Sequence, residues 1–323
     1  MMGQVQYHFI VNPFGAAGSA MRTWHRAEKA AQKLGMNYVM HMPTDTYFIK
    51  DIVHDLTDTD VDTYIIIVGG DGSLNAVVNS IVNFDRTFIG FIPAGTGNDF
   101  ARSLALHGSP LQILKRIVKS ENAHTLDVGR ATLHTCYDAN NRKLELSDVV
   151  VLFNNGAGVG FDAQVCVGVR DSVWTSRLGT IGLSKLSYLM VAVAEIIHHK
   201  TFQTRIDCDG TIQHFANSLF ATVMNEPYQG GGFKFCPDAS PTDHMSDACV
   251  VDSLRLGEFV RVLPLALIGK HTTSKAVAMS RGAVYHLKTD EPQWFQTDGE
   301  VEYKTDDVTI TVLPHKVHFM GIL

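Results

Sequence analysis

The segment Thr63–Ile81, "TYIIIVGGDGSLNAVVNSI", constrains this chain more than any other. Its run Ile65–Val68 has no polar alternation, so both faces of the strand it forms must be covered. A strand buried on both faces belongs to a parallel sheet between layers of helix. The run ends in Gly69-Gly70-Asp71-Gly72 and feeds a helix-like segment. Glycines at such a seam leave backbone N–H groups uncovered, and the helix N-terminus adds partial positive charge. That combination suits a phosphate. An aspartate there repels a phosphate unless a divalent cation lies between them or the carboxylate takes a hydroxyl proton. The plainer alternative is that Asp71 caps the helix that follows. Spacing alone leaves both open.

Two more seams repeat the pattern. "IVNPFGAAGSA" ends a strand at Asn12 and turns on Gly15 and Gly18 into a helix. "FIPAGTGNDFARSL" turns on Gly95, Thr96, Gly97, Asn98 and Asp99. Between these seams lie the strand signals "YHFIV" and "NYVMHM". The helical periodicities are "SAMRTWHRAEKAAQKLG", ending on Gly35, "TYFIKDIVHDL", and "PLQILKRIVKS" with Pro110 in its first turn. The alternation predicts a parallel sheet with helices on both faces. Ligands of such sheets bind beyond the carboxyl ends of the strands, so three small-residue turns there predict one nucleotide cradle.

Near Asp127 the rhythm breaks into short alternating runs such as "LSDVVVLFNNG", "TFQTRIDCDG" and "WFQTDGEVEY". These predict an antiparallel β domain with tight turns at Asp209-Gly210 and Asp298-Gly299, interrupted by a helix at about 178–199. "NNGAGVGFD" lies in this β-rich half and reads as a tight turn, not a dinucleotide fingerprint. The expected domains are 1–128 for the nucleotide and 129–314 for the β part, with the tail 315–323 free to add a strand to either. A chain of 323 residues with 45% hydrophobic content suits two such cores. A net charge of -6 argues against nucleic acid as a partner. The five cysteines form no CxxC pair, so neither a zinc cluster nor a disulfide framework is expected. The N-terminus shows no secretory pattern. The longest apolar helical run, Leu186–Ile197, carries Glu195 and falls short of the ~20 residues a membrane span needs. These features predict a cytoplasmic protein, with peripheral membrane association left open. No GxxxxGK[ST], HExxH or GxSxG motif occurs.

Taken in order, "NPFGAAG", "GGDGS", "PAGTGNDFAR", "LDVGR", "NNGAGVGFDAQV", "GGGFKFCPDA" and "TDGE" resemble the diacylglycerol kinase-like lipid kinases. The soluble bacterial branch is the nearest match, similar also to sphingosine and ceramide kinases. The resemblance implies an α/β plus β fold, in which a three-layer α/β nucleotide domain is followed by an antiparallel β-sandwich that contributes the lipid site. The active site would lie between them. It implies ATP-dependent transfer of the γ-phosphoryl group to the hydroxyl of diacylglycerol or a related neutral lipid, giving phosphatidic acid or an analogue. ATP would bind at Asn12, Gly15, Gly70, Gly72, Ser73, Asn75 and Thr96, with Thr44 matching a further nucleotide contact. Glu300 corresponds to the general base of the bacterial branch; in the sphingosine branch the aspartate matching Asp71 has that role. Asp99 and Asp127 match aspartates of a water-and-magnesium network. Asp243 and Asp247, in "DASPTDHMSD", match a loop that holds a structural Mg2+. Ser73 stands where the family has threonine and Ala76 where it has glutamate. The expected partners are ATP and a lipid at a membrane surface, and the resemblance carries the expectation of a homodimer. Two other readings remain: an NAD kinase-like enzyme acting on a soluble nucleotide, since that family shares the GGDG turn, and a catalytically weak nucleotide-binding regulator, to which Ala76 lends weight.

Overall fold

In a computed structural model of the chain the described residues are 5–13, 19–43, 46–120, 123–171, 200–254 and 256–322. The helix expected at 178–199 and the candidate residues Gly15, Gly18 and Thr44 lie outside them. The chain divides into two units, Met1–Leu126 with His315–Leu323, and Asp127–Pro314.

The first unit alternates β1 (Gln6–Val11), α1 (Ser19–Lys33), β2 (Asn37–His41), α2 (Thr46–Thr57), β3 (Thr63–Gly69), α3 (Asp71–Val78), β4 (Thr87–Pro93), α4 (Asp99–Ser103) and α5 (Pro110–Lys119). Its strands pair in parallel in the order β2-β1-β3-β4. Ile66 and Val68 pack in one core with Trp24, Ala27, Ile113 and Ile117 of α1 and α5. Ile65 and Ile67 point to the opposite face and are equally inaccessible. Both faces are thus covered, as the unbroken apolar run demands. On the helices, α2 packs against α3, and α3 against β3. Local signals set the ends. Gly35, at φ +65°, closes α1, and the Met36 amide reaches the Ala31 carbonyl at 3.1 Å. Ser109 and Gln112 form a capping box ahead of Pro110 on α5.

In the second unit the strands pair antiparallel among the described residues. It contains β6 (Val149–Phe153), β7 (Gly156–Gly160), α6 (Phe161–Asp171), β8 (Phe202–Cys208), β9 (Thr211–Met224), β10 (Ser246–Asp252), α7 (Leu256–Leu267), β11 (Val277–Gly282) and β12 (Val284–Thr297). The strand β5 (His124–Leu133) enters it from the first unit, and β13 (Glu300–Phe319) leaves it. The long strands β9 and β12 each pair with both β7 and β8, which curves the sheet over a core of Phe153, Val159, Ile206, Tyr285, Leu287 and Ile310. Both expected tight turns are present. Asp209 and Gly210 have φ of 48° and 88°, and Asp298 and Gly299 have 51° and 89°. Paired positive φ values match the right-handed twist of the flanking strands. The end of β13 returns to the first unit, where His318 and Phe319 pair in parallel with Phe88 and Ile89 of β4.

One expectation is corrected. "NNGAGVGFD" is not a turn: Gly156–Gly160 is a fully buried strand that runs directly into α6. Its glycines are dictated by neighbours. A Cβ on Gly156 would lie 2.4 Å from Met224 Sδ, and one on Gly158 2.5 Å from Asp162 Oδ2. A strand stripped of side chains shows no alternation, so period-based reading misses it. Among the described residues no helix is long and apolar enough to cross a membrane.

Candidate active site

Three strand ends of the first unit meet at the carboxyl edge of its sheet. β3 stops at Gly69, and Gly70, extended at φ -101° and ψ -172°, leads into α3 without a side-chain cap. In the first turn of a helix the N–H groups have no acceptor within the helix, which suits such a turn to an anion. The second and third seams touch backbone to backbone. The Ala94 amide donates to the Gly69 carbonyl at 2.7 Å. A Cβ on Gly95 would lie 2.5 Å from Gly70 Cα. Only glycine at both positions permits this approach. The first seam joins them through its tip, where Asn12 Nδ2 donates to Ser73 Oγ at 3.0 Å. Ser19, at the start of α1, adds a bond from Oγ to the Ala94 carbonyl at 2.7 Å.

Asp71 does cap a helix, but not its own. Its carboxylate accepts from the amides of Asp99 at 3.0 Å and Phe100 at 3.1 Å, the first two residues of α4. It thereby fastens the second seam to the third. Asn98, in the left-handed region at φ 49°, braces the third turn: its Oδ1 accepts from the Gly95 amide and its Nδ2 donates to the Gly95 carbonyl, both at 2.9 Å. Asp99 is 4% exposed and pairs with Arg102, whose guanidinium also reaches the Gly97 carbonyl at 3.0 Å. Thr96 stands exposed on this turn. Asn75 sits inside α3, 7% exposed, where Asn79 Nδ2 donates to its carbonyl at 3.0 Å and its Oδ1 at 3.2 Å. The structure thus joins Asn12, Gly70, Ser73, Asp71 and Asp99 in one constellation, and sets Asn75 behind it in the helix.

The remaining candidates belong to the second unit. Glu300 is exposed and opens β13 directly after the Asp298-Gly299 turn. The Asp298 carboxylate accepts from the amides of Asn154 and Asn155, both at 2.8 Å, and Gly156 at 3.1 Å, which pins the turn to the start of β7. Asp127, 2% exposed, accepts from the His244 amide at 2.7 Å and faces His244 Nδ1 at 3.2 Å. Asp243 forms an ion pair with Arg281 and accepts from the Met245 amide at 3.0 Å. Burial pushes the Asp247 carboxyl up, against the opposing pull of Arg281. Among the described residues, the grouping of ligand-type side chains that includes Asp127 and His244 contains neither Asp243 nor Asp247.

Several participants escape sequence reading. Arg102 had a signal, lying three residues after Asp99 on one helix face. Asp298 and His244 had none, because their partners are remote in sequence.

Comparison with known proteins matches each part of the chain to a domain family. Residues 6–131 match the diacylglycerol kinase catalytic domain. Residues 156–321 match the YegS C-terminal NAD kinase beta sandwich-like domain. The chain is 25% identical over 292 residues to a diacylglycerol kinase of Mycobacterium tuberculosis (strain ATCC 25618 / H37Rv), covering 88% of each. It is 28% identical over 237 residues to a diacylglycerol kinase of Bacillus subtilis (strain 168), covering 73% of this chain and 70% of that one. In fold it is similar to a crystal structure of a diacylglycerol kinase from Bacillus anthracis str. Sterne, with a TM-score of 0.71 at 21% identity over 98% of this chain and 96% of that one. With residues 6–131 matching the one domain and residues 156–321 the other, the chain belongs to the diacylglycerol kinase-like family of lipid kinases.

Proposed function

We propose that this kinase transfers the γ-phosphoryl group of ATP to the hydroxyl of diacylglycerol or a related neutral lipid. The observation that carries the reading is the backbone contact of Gly70 with Gly95, closed by the Asp71 cap on α4. It holds two glycine turns in backbone contact at the carboxyl edge of the sheet, beside the first turn of α3, a place that suits the phosphates of a nucleotide. The names of the related proteins supply the lipid.

The oxygens at these turns that suit a hard cation are the Asp71 carboxylate and the Ser73 hydroxyl, since the charge of Asp99 is already met by Arg102. When bound there, Mg2+ would neutralise phosphate charge. Asp243 fits a metal less well, since Arg281 already meets its charge. Asp71 is engaged in holding α4, which suits a positioning role. Glu300, exposed at the corner of its hairpin, takes the lipid hydroxyl proton as the phosphoryl group arrives. Arg102, held by Asp99, supplies fixed positive charge beside the third turn.

The test is incubation with labelled ATP, Mg2+, dispersed lipids and NAD. Label in organic-soluble product is the expected result. Label in NADP instead would assign the chain to soluble-nucleotide phosphorylation, and no label anywhere would leave a binding protein. Glu300→Ala is expected to lower kcat by roughly 10²–10⁴-fold, the usual worth of a positioned base. Turnover within threefold of wild type would remove Glu300 from that role.

A further inference from the structure

Glu300 follows directly on the Asp298-Gly299 turn, so the direction of its side chain is set by that turn. Cross-strand bonds hold such a turn in an ordinary hairpin. Here Asp298 also ties the turn to β7, and a buried amide adds a further restraint. Gln296, 0% exposed, accepts the Gly299 amide on Oε1 at 2.9 Å and donates from Nε2 to Asp162 Oδ2 at 3.0 Å. The last torsion of a glutamine is broad, so its partners choose which end faces which. A carboxylate oxygen accepts, and so draws Nε2 to itself and leaves Oε1 for Gly299. Without that anchor the amide can rotate and present N–H to N–H, which opens the turn. Asp162 is itself built in: it lies in the first turn of α6, and Gly158 lacks a Cβ where its carboxylate sits, 2.5 Å away.

We propose that Asp162, acting through Gln296, is a positioning residue that fixes the turn carrying Glu300. The proposal rests on the reading of Glu300 as proton acceptor, but its geometry has a separate reporter. Cys166 lies one helical turn beyond Asp162, on the same face of α6. Its thiol is pushed up to about 12, first by burial and then by the negative charges of Asp162 and Glu300. The rate at which Cys166 reacts with iodoacetamide therefore senses the packing and the charges of Asp162 and Glu300 around it, with no kinase assay.

The experiment uses the full chain and two measurements. In the first, Asp162→Ala should lower kcat for diacylglycerol phosphorylation by about 10–100-fold with KM for ATP unchanged, as a small displacement of a reacting group does. Asp162→Asn, whose Oδ1 still accepts from Gln296, should stay within about threefold of wild type. In the second, alkylation at Cys166 is followed by mass spectrometry in wild type, Asp162→Ala, Glu300→Gln and the double variant. Each single change should speed alkylation, and the double variant should fall short of the product of the two, because Glu300 is already displaced once Asp162 is gone. Should Asp162→Ala fail to fold, Gln296→Met, close in volume and unable to bond either partner, replaces it in both measurements. Wild-type kcat in Asp162→Ala, a loss in Asp162→Asn as large as in Asp162→Ala, or strictly multiplicative alkylation rates would overturn the proposal. If the wild type phosphorylates no lipid, the kinase reading fails alone, and the alkylation cycle still decides the relay.

Discussion

At the scale of single residues, Asp71 shows how a carboxylate can be legible in type and illegible in partner. Its place among glycines marks it as more than a surface charge, yet the amides it accepts belong to Asp99 and Phe100, 28 and 29 residues on. Asp71→Ala should therefore cost α4 its cap, about 1 kcal/mol of stability, whereas Asp71→Asn keeps an acceptor and most of that stability. Urea unfolding measures the difference, and equal midpoints in the two variants would show that the cap holds nothing. Both variants should lose phosphotransfer. Asp162 makes a prediction of a different kind. Burial lifts its carboxyl to about 7, although bonds from Gln296 and the main-chain amides of Ala163 and its own residue pull the other way. A raised carboxyl means that the folded state binds the proton more tightly than the unfolded chain. Its contribution to stability is then full below the unfolded value near 4 and is lost as pH rises towards 7. Asp162→Asn cannot ionise. It should match wild type at low pH and exceed it by a few kcal/mol, to order of magnitude, at pH 8. A stability difference independent of pH, in melting curves from pH 4.5 to 8, would contradict the shift.

Among elements, the seams depend on glycines that look interchangeable in sequence and are not. Gly35 only ends a helix, with open space where its Cβ would be. Gly95 faces Gly70 Cα at 2.5 Å and Asn98 Oδ1 at 2.9 Å from a would-be Cβ. Gly95→Ala must push the third turn off the second, at a cost of roughly 1–3 kcal/mol. It should also weaken nucleotide binding, read as a rise in Kd for ATP; an unchanged Kd would mean that the seam contact does not shape the cradle. The unbroken apolar run of β3 and the helical periods of α1 and α5 were readable from local pattern. The strand Gly156–Gly160 was not, because its character comes from the side chains of Met224 and Asp162 pressing on it rather than from its own.

For the whole molecule, the final residues test how far the first unit is self-sufficient. Phe319 and Met320 are 1% and 5% exposed, Met320 packs in the α1–α5 core, and its amide donates to the Ile89 carbonyl at 2.7 Å. Each such side chain is worth about 1.5–3 kcal/mol of burial, and Val317 at 4% exposure adds a third. The sum approaches the 5–15 kcal/mol that typically separates folded from unfolded chains. A chain cut after Pro314 should therefore expose α1 and α5 to trypsin at once, and persistent resistance there would show that the tail is an accessory. The sequence alone determined the two kinds of architecture and the family, because periodicity and short motifs are local and survive without coordinates. The tertiary structure alone decided what joins what: Asp71 to α4, Gln296 to Asp162 across 134 residues, and Asp298 to Asn154 across 144. A hydrogen bond needs donor and acceptor within about 3 Å, and no spacing along a chain fixes that distance until the chain has folded.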